Sequence, residues 1–217
     1  MKINPKIKNI LEWGYCIVIA LGLAILFRSF IGTPTVVKQQ SMYDTLKPNE
    51  RLFLNRWINT VNGEYKRGDI ITFEAPSFDK SQRRIPTVYE IDNENPVAEY
   101  EYEPQGIISK FFYYVLETSK TSYIKRIIGV AGDHIKIEDG KVYLNGKELD
   151  EPYLNEGVET IAENYSDIVV PEGYVFAMGD NRTHSTDCRS FGCVPIEKIA
   201  SKVWIRFWPL NRFGKVN

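Results

Sequence analysis

The chain has 217 residues, of which 27 are basic and 28 acidic, so its formal net charge is −1 at pH 7. This length fits one domain of ordinary size with a short additional segment and excludes several large domains. The balanced charge predicts no nucleic-acid partner, because no basic surface is available to neutralise phosphates. With two histidines and three cysteines, the composition argues against a zinc site, and we expect neither a metal nor an organic cofactor.

An apolar run near the N-terminus predicts a membrane anchor. The run from Trp13 to Phe27 carries no charge, and apolar neighbours extend it to residues 10–31. As a helix, this segment is long enough to cross a bilayer core of roughly 30 Å. Lysines precede it at positions 2, 6 and 8, which favours a cytoplasmic N-terminus. The predicted organisation is a cytoplasmic tail at 1–9, a transmembrane anchor at 10–31 and an extracytoplasmic domain at 32–217.

Two other interpretations of this run stay open. A secretory signal that is removed would have a shorter apolar region, followed by small residues at the cut. Here Arg28, Ser29 and Phe30 follow the run, which makes a poor cleavage site. A buried core helix is the second alternative. We carry the uncleaved anchor forward.

From Thr33 onward the pattern indicates a mainly β, antiparallel fold. Short β-branched or alternating apolar runs are separated by polar turns, which is typical of strands. Asp139-Gly140 lies between two such runs and predicts a tight hairpin, because both central residues of such a turn need a positive φ. The predicted strands cover residues 35–37, 51–54, 69–73, 122–130, 134–138, 141–144, 174–178 and 202–208.

Residues 75–122 form an inserted segment between two predicted strands. It has prolines at 76, 86, 96 and 104 and acidic residues at 90, 92, 94, 99, 101 and 103. Apolar residues recur at helical spacing from 107 to 117, which predicts one short helix. We expect this helix to cover the β core, and contact with a membrane surface or a partner is the alternative.

Three aromatic residues, Trp204, Phe207 and Trp208, lie in the last predicted strand. Their spacing favours burial in the core of the sheet. The alternative is that they help the domain to rest on the membrane.

Ser41 follows shortly after the predicted anchor, within residues 40–46. A serine at this place would lie close to any substrate that emerges from the same bilayer. Most serines before a turn are caps or turn formers, however. This segment alone therefore does not identify a nucleophile.

Lys125 belongs to the predicted strand 122–130, in which side chains alternate between two faces. It shares a face with Tyr123 and Ile127, and an ammonium among such groups loses hydration, so its pKa falls. A lysine that is neutral near the working pH can accept the proton of a serine hydroxyl. Arg126 points to the other face and cannot do this, because a guanidinium does not deprotonate in proteins. A solvent-facing strand lysine is the alternative.

A polar loop at residues 179–192 follows the predicted strand 174–178. Two aspartates and two arginines within it suggest an internal lattice of ion pairs, and glycines at its two ends permit sharp turns. Such a loop more often supports a fold than performs chemistry, although the Ser185 hydroxyl could orient the lysine. We interpret His134 and His184 as turn or surface residues.

Four segments, in this order after an anchor, resemble the sequence boxes of the type I signal peptidase family. The family's serine box, S-M-x-P-T-L, is similar to residues 41–46, and its box R-G-D-I-V-x-F is similar to residues 67–73. Its lysine box, Y-x-K-R-x-I-G-x-x-G-D, is similar to residues 123–133. Its last box, G-D-N-R-x-x-S-x-D-S-R-x-x-G, is similar to residues 179–192. The resemblance spans about residues 10–208, apart from the inserted segment.

The resemblance implies a membrane-bound serine endopeptidase that removes signal peptides from exported preproteins. It implies that Ser41 is the nucleophile, that Lys125 is its general base and that Ser185 holds the lysine amine in place. The backbone N–H of Ser41 would donate to the oxyanion. The residues implied as structural supports of the site are Asp180, Asp187 and Arg189.

The resemblance also implies how the substrate binds. An extended peptide would add as a strand beside the segment before Ser41. Shallow pockets for small residues before the cut would be shaped by Thr35, Val37, Leu46 and Ile124. The partners would be signal peptides and membrane lipid, and we expect a monomer.

Three positions depart from the family's boxes. Asp44 replaces a proline that stiffens the turn after the nucleophile. Gln39 stands where the family usually has a serine or a glycine; the serine hydroxyl completes the oxyanion hole, and the glutamine amide could donate instead. Cys188 replaces a serine. Cys188 and Cys193 belong to the predicted extracytoplasmic domain, and disulfides persist outside the cytoplasm. Their spacing does not decide whether they are bonded.

Two other classes of function remain. A catalytically impaired relative would bind signal peptides without cutting them, and the changes at positions 39 and 44 motivate this alternative. A membrane-tethered regulator with a Ser-Lys pair would cleave itself, so fragments of this chain would accumulate on storage. The peptidase interpretation predicts cleavage of other chains.

Overall fold

The N-terminal segment is one continuous helix. The computed structural model describes residues 5–61, 63–76, 97–98, 100, 104–116 and 121–216, and it begins with α1, Pro5–Phe30. Within this helix, Leu11–Phe30 has a mean hydropathy of 1.8, and none of its side chains is buried. A helix this long and apolar can cross a membrane, and such an exposed apolar surface suits lipid better than water.

Twelve strands and three further short α-helices follow α1 among the described residues. The strands are β1 (Gly32–Val36), β2 (Arg51–Asn55), β3 (Ile70–Glu74), β4 (Ser122–Val130), β5 (His134–Glu138), β6 (Lys141–Leu144), β7 (Lys147–Glu148), β8 (Asp167–Val169), β9 (Tyr174–Met178), β10 (Val194–Pro195), β11 (Ile199–Trp208) and β12 (Gly214–Lys215). The helices are α2 (Trp57–Thr60), α3 (Ile107–Lys110), which continues as a π-helix over Phe111–Leu116, and α4 (Cys188–Phe191). Single 3₁₀ turns cover Arg182–His184, Ile196–Lys198 and Leu210–Arg212.

The strands form two sheets. The larger sheet has the order β1-β2-β11-β3-β4-β9-β10, with β12 beside β11, and the smaller sheet has the order β7-β6-β5-β8. Every pairing between these described strands is antiparallel. The prediction of a mainly antiparallel β fold is therefore confirmed.

The hairpin between β5 and β6 forms where the sequence predicts it. Glu138 pairs with Lys141 across a two-residue turn, and Asp139 and Gly140 have φ values of 51° and 77°. An aspartate tolerates this left-handed conformation and a glycine adopts it freely, so the turn matches the twist of the two strands.

The core consists of two apolar clusters. The first packs around β3, β4 and β9, with residues such as Phe73, Ile127 and Phe176, and extends to Ile135 and Ile168 of the smaller sheet. The second lies under the segment that follows β1 and consists of Val37, Met42, Leu46, Leu52, Leu54, Ile70 and Val203. Because burial of such side chains is the main stabilising contribution to a fold, the second cluster fixes the course of the chain around Ser41.

The inserted segment has a helix at the predicted place, but its apolar face does not cover the β core. Ile107 is 89% exposed and Ile108 75% exposed, and Phe111 and Phe112 are exposed as well. Among the side chains that the structure describes in this helix, that of Tyr113 is buried, and its hydroxyl donates a 2.5 Å hydrogen bond to Glu74. Some features of the insertion lie outside the described residues: prolines 86 and 96, the acidic residues at 90, 92, 94, 99, 101 and 103, the side chain at 115, and residue 117.

The expected burial of the C-terminal aromatics is also wrong. Trp204 is 55% exposed and Trp208 is 48% exposed, whereas Phe207 is half-buried. The pairing of β11 with β2 has two register shifts, one between Val203 and Ile205 and one between Arg206 and Trp208. Such irregularities break the alternation of side chains, so the spacing of these residues in the sequence does not indicate which face they occupy.

Candidate active site

Ser41 lies in a loop between β1 and β2, which we call the Ser41 loop (residues 40–50). Its base is closed by two backbone hydrogen bonds, from Val37 N to Glu50 O at 2.9 Å and from Asn49 N to Val37 O at 2.8 Å. Within the loop, Met42 and Leu46 are buried in the second apolar cluster. Burial of these two side chains holds the loop against the sheet, and Ser41 lies at the edge of a cleft.

Lys125 lies in β4, between β3 and β9 of the larger sheet. Its Nζ is 2.6 Å from the Oγ of Ser41, a residue 84 positions earlier in the chain. The lysine is 1% exposed and the serine 7% exposed. The structure therefore brings together the two residues that the resemblance implies as base and nucleophile, and it shields their contact from water.

Burial lowers the pKa of Lys125 from 10.5 to about 8, while the negative charge of Asp187 acts in the opposite direction. The ammonium also lies 5.2 Å from the centre of the Tyr123 ring, the neighbour that strand alternation predicts on this face. A lysine in this range is substantially neutral at mildly alkaline pH and can then accept a proton from a hydroxyl.

The polar loop behind the pair is held by buried ion pairs. Asp187 accepts from the Arg189 guanidinium at 2.9 and 3.0 Å and from Gly179 N at 3.0 Å. It also begins α4, because its carboxylate accepts from Arg189 N. Asp180 accepts two hydrogen bonds from Arg126, one from Nε at 2.9 Å and one from Nη2 at 2.8 Å.

The predicted lattice is therefore only partly internal to the loop. Asp187 and Arg189 pair with each other, but Asp180 pairs with Arg126 on β4, and Arg182 pairs with Glu151. The reason is register: β4 and β9 are neighbours, with Arg126 opposite Met178, so Asp180, two residues after the end of β9, reaches the arginine of the adjacent strand. The pair of Arg126 with Asp180 thus ties the loop to the lysine strand.

Ser185 is buried close to the pair, but it does not hold the lysine amine in this structure. Its Oγ makes no hydrogen bond with any described residue. A Cβ added at Gly179 would lie 2.2 Å from this Oγ and 2.4 Å from Ser41 O. The hydroxyl thus packs against a glycine that approaches the Ser41 backbone closely, and the expected direct bond to Lys125 is absent.

A cleft of about 420 Å³ opens beside Ser41. Its lining includes all four residues implied for the substrate pockets: Thr35, Val37, Leu46 and Ile124. A buried hydrogen bond between the hydroxyls of Thr72 and Ser201, 2.6 Å long, also lines it. β1 is at the end of the larger sheet, so its outer edge borders this cleft and can pair with an extended peptide.

The three departures from the family's boxes have distinct surroundings. Gln39 is exposed and lines the cleft. The Asp44 carboxylate accepts a hydrogen bond from Asn155 Nδ2. Cys188 and Cys193 are buried free thiols, so the described structure has them unbonded; burial raises the pKa of both, that of Cys193 to about 12.

Several residues that hold the site were not identified from the sequence. Asn181 donates through its backbone N–H to Ser41 O at 3.0 Å and through its side chain to Gln40 O at 3.1 Å. Glu151 and Asn155 lie outside every family box. Asn181 belongs to the last box, so the sequence could have identified it as a site residue. Glu151 and Asn155 reach the site only through long-range contacts, which no local sequence pattern indicates.

No group of three or more His, Cys, Asp or Glu side chains close enough to hold a metal ion occurs in the part of the chain that the structure describes.

Comparison with known proteins gives the family. The model of the family described as signal peptidase, peptidase S26, matches residues 10–208. Signal peptidase I S of Bacillus subtilis (strain 168) is 33% identical over 98% of this chain and 96% of that protein. Signal peptidase I T of the same organism is 33% identical over 96% of this chain and 90% of that protein.

Among solved structures, a signal peptidase I from Enterococcus faecalis V583 has a TM-score of 0.38 and 21% identity. The alignment covers 64% of this chain and 96% of that chain, and at this TM-score the likeness supports no argument. The family model and the two Bacillus relatives suffice: the chain belongs to the signal peptidase family, peptidase S26.

Proposed function

We propose that this protein is a membrane-bound serine endopeptidase that cuts N-terminal signal peptides from exported preproteins, with Ser41 as nucleophile and Lys125 as general base. The observation that carries the proposal is the buried 2.6 Å contact between the lysine amine and the serine hydroxyl. The family to which the chain belongs, and the relatives named signal peptidase I, support the substrate class.

In the first step, neutral Lys125 takes the proton of Ser41 while the serine oxygen attacks the scissile carbonyl carbon. The tetrahedral oxyanion is stabilised by the backbone N–H of Ser41 and by a second donor, for which the Gln39 amide is placed at the cleft. The lysine ammonium then gives its proton to the leaving amine as the C–N bond breaks. A water molecule then attacks the acyl carbon while the same lysine takes its proton. The bond from the acyl carbon to Ser41 Oγ breaks, and the lysine ammonium returns the proton to the serine oxygen.

The cleft supports recognition of an extended peptide with small side chains. The free edge of β1 offers backbone groups to a peptide strand. Thr35 in β1 and Val37 directly after it are two positions apart, and both line the cleft. Leu46 and Ile124 narrow the pockets from the other sides. Small residues before the cut fit such pockets without displacing buried side chains.

Asp180, Asp187 and Arg189 act as structural supports. Arg126 bound to Asp180 and Arg189 bound to Asp187 anchor the loop that carries Gly179 and Ser185 against the Ser41 backbone. In this role Ser185 shapes the site by packing.

We further propose that α1 is an uncleaved anchor with the N-terminus in the cytoplasm and the catalytic domain outside, and that the protein acts as a monomer. The lysines before the apolar segment support this orientation. The ring of Phe53 contacts the rings of both Phe27 and Trp204, with centroid separations of 6.5 and 6.1 Å. This series connects the anchor to exposed aromatic residues on β11, which suit the membrane interface.

The experiment that tests the function uses the purified full chain, a preprotein with a small-residue cleavage site, and the variant Ser41→Ala. We expect the wild-type chain to release the mature protein, with its new N-terminus at the predicted cut, and Ser41→Ala to release none. Equal product from both chains would contradict the proposal. Binding of signal peptide without product would instead identify an impaired relative, and fragments of the enzyme itself would identify a self-cleaving regulator.

A further inference from the structure

The turn after Ser41 is held by a side chain from a distant part of the chain. Asn155 Nδ2 donates to the Asp44 carboxylate, 111 residues away in sequence. Asp44 stands where the serine box of the family has a proline, which limits the turn by fixing φ. Here the conformational freedom of the same turn is restricted by a hydrogen bond to the Asp44 carboxylate from a residue in a distant segment.

Asn155 belongs to a short segment, residues 151–155, that contacts three parts of the site. Glu151 accepts from the guanidinium of Arg182, in the loop after β9. The ring of Tyr153 lies 4.0 Å from the guanidinium carbon of Arg126, beside Lys125 on β4. Asn155 reaches the Ser41 loop. One segment thus spans all the elements that supply the serine, the lysine and the supporting loop.

The opposite side of the same turn is held through its backbone. Arg206 donates to Thr45 O at 3.0 Å, and Arg212 donates to Asp44 O and Thr45 O at 3.3 Å each. Both arginines pair with the buried carboxylate of Glu50. These bonds fix the carbonyl groups but leave the Asp44 side chain to be fixed by Asn155.

We propose that Asn155 is a positioning residue that acts through Asp44 to keep the Ser41 turn in its reactive geometry, in place of the family's proline. The inference rests on the proposed function, since it presupposes that Ser41 is the nucleophile. A displacement of about 1 Å would remove Ser41 Oγ from hydrogen-bond distance of Lys125, and displacements of this size cost up to about 100-fold in rate. The bond between Asn155 and Asp44 is exposed, so its loss affects the rate more than the stability.

The test compares three changes in the full chain, measuring kcat and KM on a preprotein and Tm by calorimetry. We expect Asn155→Ala to lower kcat about fivefold to tenfold, with KM and Tm unchanged. Asn155→Asp should lower kcat further, because two carboxylates then face each other. Combining Asn155→Asp with Asp44→Asn exchanges the two groups, restores an amide-to-carboxylate bond and should return kcat to within about twofold of wild type.

Two further measurements separate positioning from a general structural role. Adding Asp44→Pro to Asn155→Ala should recover kcat, because the ring then limits the turn without a partner. The apparent pKa in the pH profile of kcat/KM should stay the same in Asn155→Ala, because the surroundings of Lys125 are unchanged. Glu138→Ala, which removes an exposed ion pair with Lys136 on the smaller sheet, is the control and should leave kcat unchanged.

The proposal is overturned if Asn155→Ala keeps wild-type kcat, or if the exchange is no more active than Asn155→Asp alone. A fall in Tm that accompanies the loss of kcat and is not reversed by the exchange would also overturn it. These results differ from failure of the proposed function, which would appear as cleavage by Ser41→Ala.

Discussion

The two sheets carry charged side chains in opposite ways. In and beside the larger sheet, Lys125 and the ion pair of Arg126 with Asp180 are buried. In the smaller sheet, the ion pairs of Lys141 with Glu148 and of Lys136 with Glu138 have all four side chains substantially exposed. Both kinds of contact are short, but only the first kind was removed from water when the chain folded.

This difference bears on the proposed role of Lys125. Transferring an ion from water to the interior costs several kcal/mol, and its partner only offsets that cost. An apolar residue at the position of Lys125 would therefore be easier to accommodate. Burial of Lys125 costs free energy of folding, but the same loss of hydration lowers its pKa into a range where the amine can act as a base. The surface pairs of the smaller sheet have no such role.

The largest expected effect on stability comes from breaking a buried pair of the larger sheet. Asp180→Ala leaves the Arg126 guanidinium buried with fewer acceptors, which costs about 3–5 kcal/mol for pairs of this kind. The free energy of unfolding, measured with urea, should fall accordingly. Asp167→Ala is the matched control, since Asp167 forms an exposed pair with His134 and should change little. Equal effects of the two substitutions would contradict the comparison.

Close packing beside the pair should give the second effect. Gly179→Ala would place a methyl group 2.2 Å from Ser185 Oγ and 2.4 Å from Ser41 O. The backbone of the Ser41 loop must then move, at about 1–3 kcal/mol for overpacking of this kind, and kcat should fall with it. Gly22→Ala in α1, where the added carbon has nothing within 4 Å, is the control. Unchanged kcat in Gly179→Ala would show that the Ser41 loop tolerates displacement.

The pH dependence follows from the lowered pKa of Lys125, about 8. Below this value the protonated lysine cannot act as base, so kcat/KM should fall about tenfold per pH unit and level off above it. The folded pKa lies below the unfolded value of 10.5, so the unfolded chain binds more protons between pH 8 and 10.5, and stability from this group rises with pH there. Lys125→Met should lose both cleavage and that rise, whereas a flat wild-type rate profile would exclude Lys125 as the base.

The antiparallel sheets and the Asp139-Gly140 hairpin could be predicted from the sequence because period-two alternation and turn residues are local properties. The approach of Ser41 to Lys125 could not be derived in this way. The two residues are 84 positions apart, and only the resemblance of four ordered segments to a family associated them.

Two of the errors share a physical origin in long-range register. Trp204 and Trp208 were expected in the core, but two register shifts between β11 and β2 expose them. Asp180 was expected to pair within its own loop, but the register of β4 against β9 gives it Arg126. Partner choice between charged residues depends on which strands are neighbours, and spacing within one segment does not determine it.

The smallest expected effect tests the other side of the comparison. Lys141 and Glu148 lie 2.8 Å apart with more than half of each side chain exposed. Exposed pairs gain little because water and salt screen them and because two flexible side chains must be ordered. Glu148→Ala should therefore leave Tm and kcat at their wild-type values, at both low and high ionic strength. A clear loss of stability that disappears at high salt would mean that the smaller sheet depends on surface charge, and that burial alone does not separate the two sheets.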